Sequence, residues 1–124
     1  MNWSLHLDET NKMLILTYEG KNSAKDILDS SYATVMLAKE KDIYKYLVYA
    51  QDLIADFKAN EIFKLPYELY EEWGMDIATR IAVLKPTDTS TQRMASFYEI
   101  SSQNMGWQAR VFPTKKSALK WLNA

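Results

Sequence analysis

The sequence predicts an α/β fold, a mixed five-stranded sheet with four helices, and three observations carry that prediction. Arg80-Ile-Ala-Val-Leu84 places apolar residues at consecutive positions ahead of Lys85 and Pro86, the pattern of a strand covered on both faces. Trp3, Leu5 and Leu7 alternate with Ser4, His6 and Asp8, the period of a strand with one wet face. Segments at helical spacing, such as Met94, Phe97, Tyr98, Ser101 and Met105, separate the later strands and make them parallel neighbours joined by crossovers. The buried run at 80–84 is expected to organise the rest.

The opening strand leads through a polar turn at residues 9–12 into a second strand at 13–18. So short a link makes the two antiparallel, with Gly20 ending the pair. Ser23 with Asp26 three residues on forms a capping pattern. Ala24, Ile27, Leu28, Ser31, Tyr32, Val35 and Ala38 then share one helical stripe, closed by Lys39 and Lys41, whose charge suits a helix carboxyl end. Residues 46–50 form the third strand and 51–59 a loop. Pro66 suits the first turn of a second helix, with Tyr67, Tyr70 and Trp73 on one side and Gly74 as a left-handed stop. After the 80–84 strand come a polar loop, 86–91, and the third helix, ended by Gly106. Residues 107–112 are the fifth strand, and Thr114 caps a last helix that turns Ala118, Leu119, Trp121 and Leu122 inward. Beyond the opening hairpin, the connections are right-handed crossovers.

A single domain, residues 1–124, suits this length, and a core of that size buries roughly two thirds of the unfolded surface. The net charge of -1 gives no general attraction to nucleic acid or anionic lipid. With no cysteine, disulfides, thiol catalysis and thiolate metal centres are excluded, and a reducing compartment suits the chain. Residues 1–8 show no basic region followed by an apolar core, so no signal peptide is expected. The apolar runs at 13–16 and 81–84 fall far below the roughly 20 residues that span a bilayer. The expectation is a cytoplasmic protein without stable membrane insertion.

Arg80-Ile-Ala-Val-Leu84, Gly106-Trp-Gln-Ala-Arg-Val-Phe112 and Ala118-Leu-Lys-Trp-Leu122, in this order of elements, resemble the SpoIIAA-like family. These are small bacterial proteins of the STAS fold, related to anti-sigma-factor antagonists. Ile62-Phe-Lys-Leu-Pro66 and Tyr70-Glu-Glu-Trp-Gly74 resemble its uncharacterised branch. The resemblance implies a STAS domain that works by contact with another protein. Antagonists of the phosphorylated type carry Asp-Ser-Ser-Gly or Asp-Ser-Thr-Gly at the start of the helix after the third strand, where phosphate meets a helix amino end. Here that stretch reads Asp52-Leu-Ile-Ala-Asp-Phe-Lys-Ala59, without a hydroxyl, and Asp29-Ser-Ser31 falls inside the first helix. The phosphorylation site is therefore not carried over. The last helix opens with Lys115 and Lys116, where such proteins usually place acids.

No catalytic grouping is expected. His6 is the only histidine and falls on the polar side of the opening strand, where a surface role is the plain reading; a base or ligand would need acids from distant segments. One imidazole among scattered carboxylates makes no metal site. Gly20, Gly74 and Gly106 each end an element, which leaves no glycine-rich loop for a phosphate-bearing cofactor. Two surfaces remain. Phe63, Tyr67, Tyr70 and Trp73 read as core by their spacing or, in a functional role, as an interface or the wall of an apolar groove. Arg110, Lys115, Lys116 and Lys120 form a basic patch in an acid-free stretch, 107–124, against the acid-rich stretch 61–76; solvated helix faces are the alternative. The functional expectation is a non-enzymatic protein-interaction or regulatory module without a cofactor, with a homodimer among its forms. The alternative is a small apolar ligand or lipid-binding domain in which Met75, Met94 and Met105 join the aromatics.

Overall fold

The computed structural model describes residues 2–124. Five strands stand in chain order across one sheet: β1 (Trp3–Asp8), β2 (Met13–Ser23), β3 (Lys45–Asp56), β4 (Arg80–Leu84) and β5 (Gln108–Phe112). The first pair is antiparallel and each later pair is parallel, as the sequence predicts. Four helical stretches accompany them. They are α1 (Ala24–Lys41); a broken stretch of α2 (Ala59–Ile62), a π-helical turn (Leu65–Leu69) and α3 (Tyr70–Glu72); α4 (Thr89–Asn104); and α5 (Lys115–Leu122).

Residues 80–84 are indeed buried on both sides. Ile81 and Val83 enter the larger core with Ile27, Val35 and Tyr98 of α1 and α4, while Ala82 and Leu84 enter a smaller one with Ala118 and Leu122 of α5. The central strand, however, is β3, with β2 on one side and β4 on the other. β3 is also longer than expected. The segment 51–59, predicted as a loop, continues as strand to Asp56 because residues 52–56 pair with 19–23 of β2. Gly20 accordingly does not end its strand. The register shifts between Thr17 and Glu19 where β1 runs out, and Gly20, at φ 65°, supplies the left-handed turn of backbone that lets β2 continue beside β3.

The helix ends follow the predicted chemistry. Ser23 and Asp26 exchange side-chain and backbone hydrogen bonds in a full capping box, and Asp88 and Thr114 cap α4 and α5. The second helix differs. It opens before Pro66, at Ala59, and breaks, since proline has no N–H for the next backbone bond. The chain widens into a π turn in which the Tyr70 N–H reaches the Leu65 carbonyl. Gly74, at φ 77°, then closes it: Met75 N–H donates to Tyr70 and Gly74 N–H to Glu71, a Schellman stop.

Candidate functional site

On α4, Met94, Tyr98 and Ser101 face inward as expected, but the outer face carries apolar side chains that the predicted stripe did not place there. Thr91, Ser101 and Ser102 are buried, whereas Phe97 (37% exposed), Ile100 (59%) and Met105 (41%) face outward. The inner threonine is fully employed: its hydroxyl receives the Ala55 N–H and donates to Asp88, tying the helix start to β3. A surface helix ordinarily turns its apolar stripe inward, so Phe97 and Met105 depart from the inward stripe predicted for them. Beside them stand Phe63 and Tyr67, each 38% exposed, their rings stacked at 4.0 Å, with Phe97 5.8 Å from Phe63. The result is a continuous aromatic ridge across the broken helix and α4.

The four aromatics singled out from the sequence are thereby divided. Phe63 and Tyr67 belong to the ridge. Tyr70 is buried and its hydroxyl meets that of Tyr98 at 2.6 Å. Trp73 is half-buried, edge-on to Tyr32 at 5.3 Å, and its carbonyl accepts a hydrogen bond from the Lys39 ammonium. Tyr32, expected on the inner stripe of α1, is itself exposed. Ile100 was legible as an apolar residue off the α4 stripe; Phe97 was not, because its spacing matches that of a core residue.

Beneath α1 and α4 lies a cavity of about 100 Å³. Four tyrosines from four elements line it, Tyr18, Tyr46, Tyr70 and Tyr98, among aliphatic neighbours such as Leu16, Val35 and Val83. Three of the four phenols are paired. Tyr18 meets Ser30, whose own hydroxyl donates to the Ile27 carbonyl, and Tyr70 meets Tyr98. Burial raises the phenol of Tyr98 to about 12 and those of Tyr18, Tyr46 and Tyr70 further above their ordinary value. All four are neutral at physiological pH. No charged side chain is among the described residues that line the cavity.

The basic residues gather on the other side of the sheet. The Arg110 guanidinium lies 5.4 Å over the Phe112 ring and 5.7 Å over that of Trp121, and the Lys115 ammonium lies 5.7 Å over Tyr49. Lys116 and Lys120 are exposed on α5. Arg80 also faces Trp121 and ties down the chain end, donating to the Trp121 and Ala124 carbonyls. His6 is exposed on β1. Among the described residues, no group of three or more acidic or histidine side chains is placed to hold a metal ion. No helix among them is long and apolar enough to cross a membrane. After β3 the next helix opens at Ala59 behind Lys58, so no hydroxyl stands at its start.

Compared with known proteins, this arrangement belongs to a recognised architecture. An anti-sigma factor antagonist from Mycobacterium paratuberculosis superposes with a TM-score of 0.66 at 10% identity, over 98% of this chain and 95% of that one. An uncharacterized Shewanella loihica protein with a SpoIIAA-like fold gives 0.57 at 14% identity, over 98% and 94%. The anti-sigma factor antagonist SpoIIAA in its unphosphorylated form gives 0.57 at 14%, over 98% of each. The chain has the SpoIIAA-like, STAS-type fold. No family model matches the sequence, and no curated protein does so.

Proposed function

We propose that the chain is a non-enzymatic interaction module that binds another protein through the ridge formed by Phe63, Tyr67, Phe97 and Ile100. The outward apolar face of α4 carries this reading, because Phe97 and Ile100 stand in solvent beside the stacked Phe63 and Tyr67, a contiguous apolar patch of the kind that marks a recognition surface. The structural neighbours include anti-sigma factor antagonists, which supports the reading only by analogy of fold. A second copy of the chain is one form such a partner takes, and the lack of cysteine favours the cytoplasm as its setting. Affinity capture from the native cell, run in parallel with wild type and a Phe97→Ser/Ile100→Ser variant, tests it. One partner held by the wild type and lost by the folded variant supports the ridge; identical captures defeat it.

A second reading rests on the cavity. A pocket of this size walled almost entirely by hydrocarbon has the character of a small-ligand site, so occupancy by a small apolar ligand is the alternative role. Native mass spectrometry of gently purified protein checks it, and repeated spectra of the bare chain count against it.

A further inference from the structure

We infer that the cavity beneath α1 and α4 is a site for a small uncharged molecule, one ring in size, whose single polar group accepts a hydrogen bond from the Tyr70–Tyr98 pair. The inference rests on the ligand-binding reading above and narrows it to a chemical class.

Size comes first. The space is about 100 Å³, somewhat below an engineered cavity of about 150 Å³ in another protein that takes up benzene or xenon. A single ring is the scale of the occupant, and a long acyl chain is too large. Charge comes next. The cavity is lined by hydrocarbon and neutral hydroxyls, and an anion moved there from water would meet no compensating cation. Carboxylates and phosphates are therefore excluded, and with them the usual charged lipids.

The position of the polar group follows from counting hydrogens. A phenol or serine hydroxyl carries one hydrogen and two acceptor sites. In the Tyr18 chain the count closes, because Ser30 donates to Ile27 and Tyr18 must then donate to Ser30. In the Tyr70–Tyr98 pair two hydrogens serve one bond, so one phenolic hydrogen is free for a further acceptor. Ser102, wholly buried beside Tyr98, makes no hydrogen bond with it and does not line the cavity, so the acceptor must come from within the space. A buried donor without an acceptor is costly, and an oxygen on a ligand in the cavity satisfies it.

The experiment titrates the full-length chain at pH 7 with benzene, phenol and benzoate, following binding by calorimetry and by shifts of cavity methyl resonances. Wild type is expected to bind benzene and phenol and to take up benzoate at least a hundredfold more weakly than phenol. In Tyr70→Phe/Tyr98→Phe, which keeps both rings, phenol weakens about fivefold or more while benzene stays within about twofold. Ala95→Leu, which projects into the space from α4, abolishes binding of both. Benzoate bound as well as phenol, or phenol unaffected in the double variant, overturns the inference and leaves the ligand-binding reading standing. Failure of wild type to bind either neutral ring overturns both, as does binding that survives in Ala95→Leu.

Discussion

Under α5, Ala118 and Leu122 close onto Leu47, Ala82, Leu84 and Phe112 in a small core. Under α1 and α4 the core is larger, holds the cavity of about 100 Å³, and is faced by Thr91, Ser101 and Ser102 of α4. The same sheet therefore carries one side sealed by apolar side chains and another where hydroxyls and open space replace them. Cores of native density are expensive to enlarge or overfill. The loosely filled side is the one free to receive something, and its helix is also the one that shows its apolar residues to solvent.

The comparison yields graded tests. Leu122→Ala, on the sealed side, is expected to cost about 3 kcal/mol in urea unfolding, within the usual range for a buried leucine. A loss below about 1 kcal/mol would mean that this side packs no better than the other. Adding bulk separates the two sides by sign. Ala118→Leu, at a fully buried position, should destabilise by about 2 kcal/mol through overpacking, whereas Ala95→Leu, filling the cavity, should stabilise by about 1 kcal/mol. Equal destabilisation by both would erase the distinction.

Alkaline pH acts chiefly on the tyrosine-lined side, where four phenols are held neutral by burial. The Tyr98 phenol is held at about 12 against an ordinary value of 10.0 by burial. In the pH range between these values the unfolded chain releases a proton that the folded chain keeps, so stability is full below pH 10 and falls as pH rises towards 12. For this group the slope is about 1.4 kcal/mol per pH unit. Unfolding curves at pH 9, 10 and 11 should show the combined slope of the four buried tyrosines, and Tyr98→Phe should lower it by about 1.4 kcal/mol per pH unit; an unchanged slope in that variant would remove Tyr98 as one of its sources. The smallest effect belongs to the ridge. Ile100→Ser should change stability by no more than about 0.5 kcal/mol, since the side chain is 59% exposed. A larger loss would make the ridge part of the fold instead of a surface offered to a partner.

Much of this was legible because the relevant signals are local. The alternation in β1, the continuous apolar run of β4, the Ser23 and Asp26 capping box and the Gly74 stop each depend on residues within a turn or two. The extension of β3 to Asp56 was not, because residues 52–56 become a strand only by pairing with 19–23 of β2, far off in the chain. Nor were the contacts of Tyr70 with Tyr98 and Trp107, which the π turn after the proline break sets up. Of the candidate surface, Phe63 and Tyr67 were foreseen as aromatics, but their separation from Tyr70 was not.

Order of elements, mixed sheet and helix caps were determined by the sequence itself, since periodicity and capping act over a few residues. Which tyrosines meet around a cavity, and which apolar residues of α4 are turned outward, was decided by the tertiary structure alone. Spacing along a helix defines faces relative to one another, and only the sheet and helices packed against it determine which of those faces is inside.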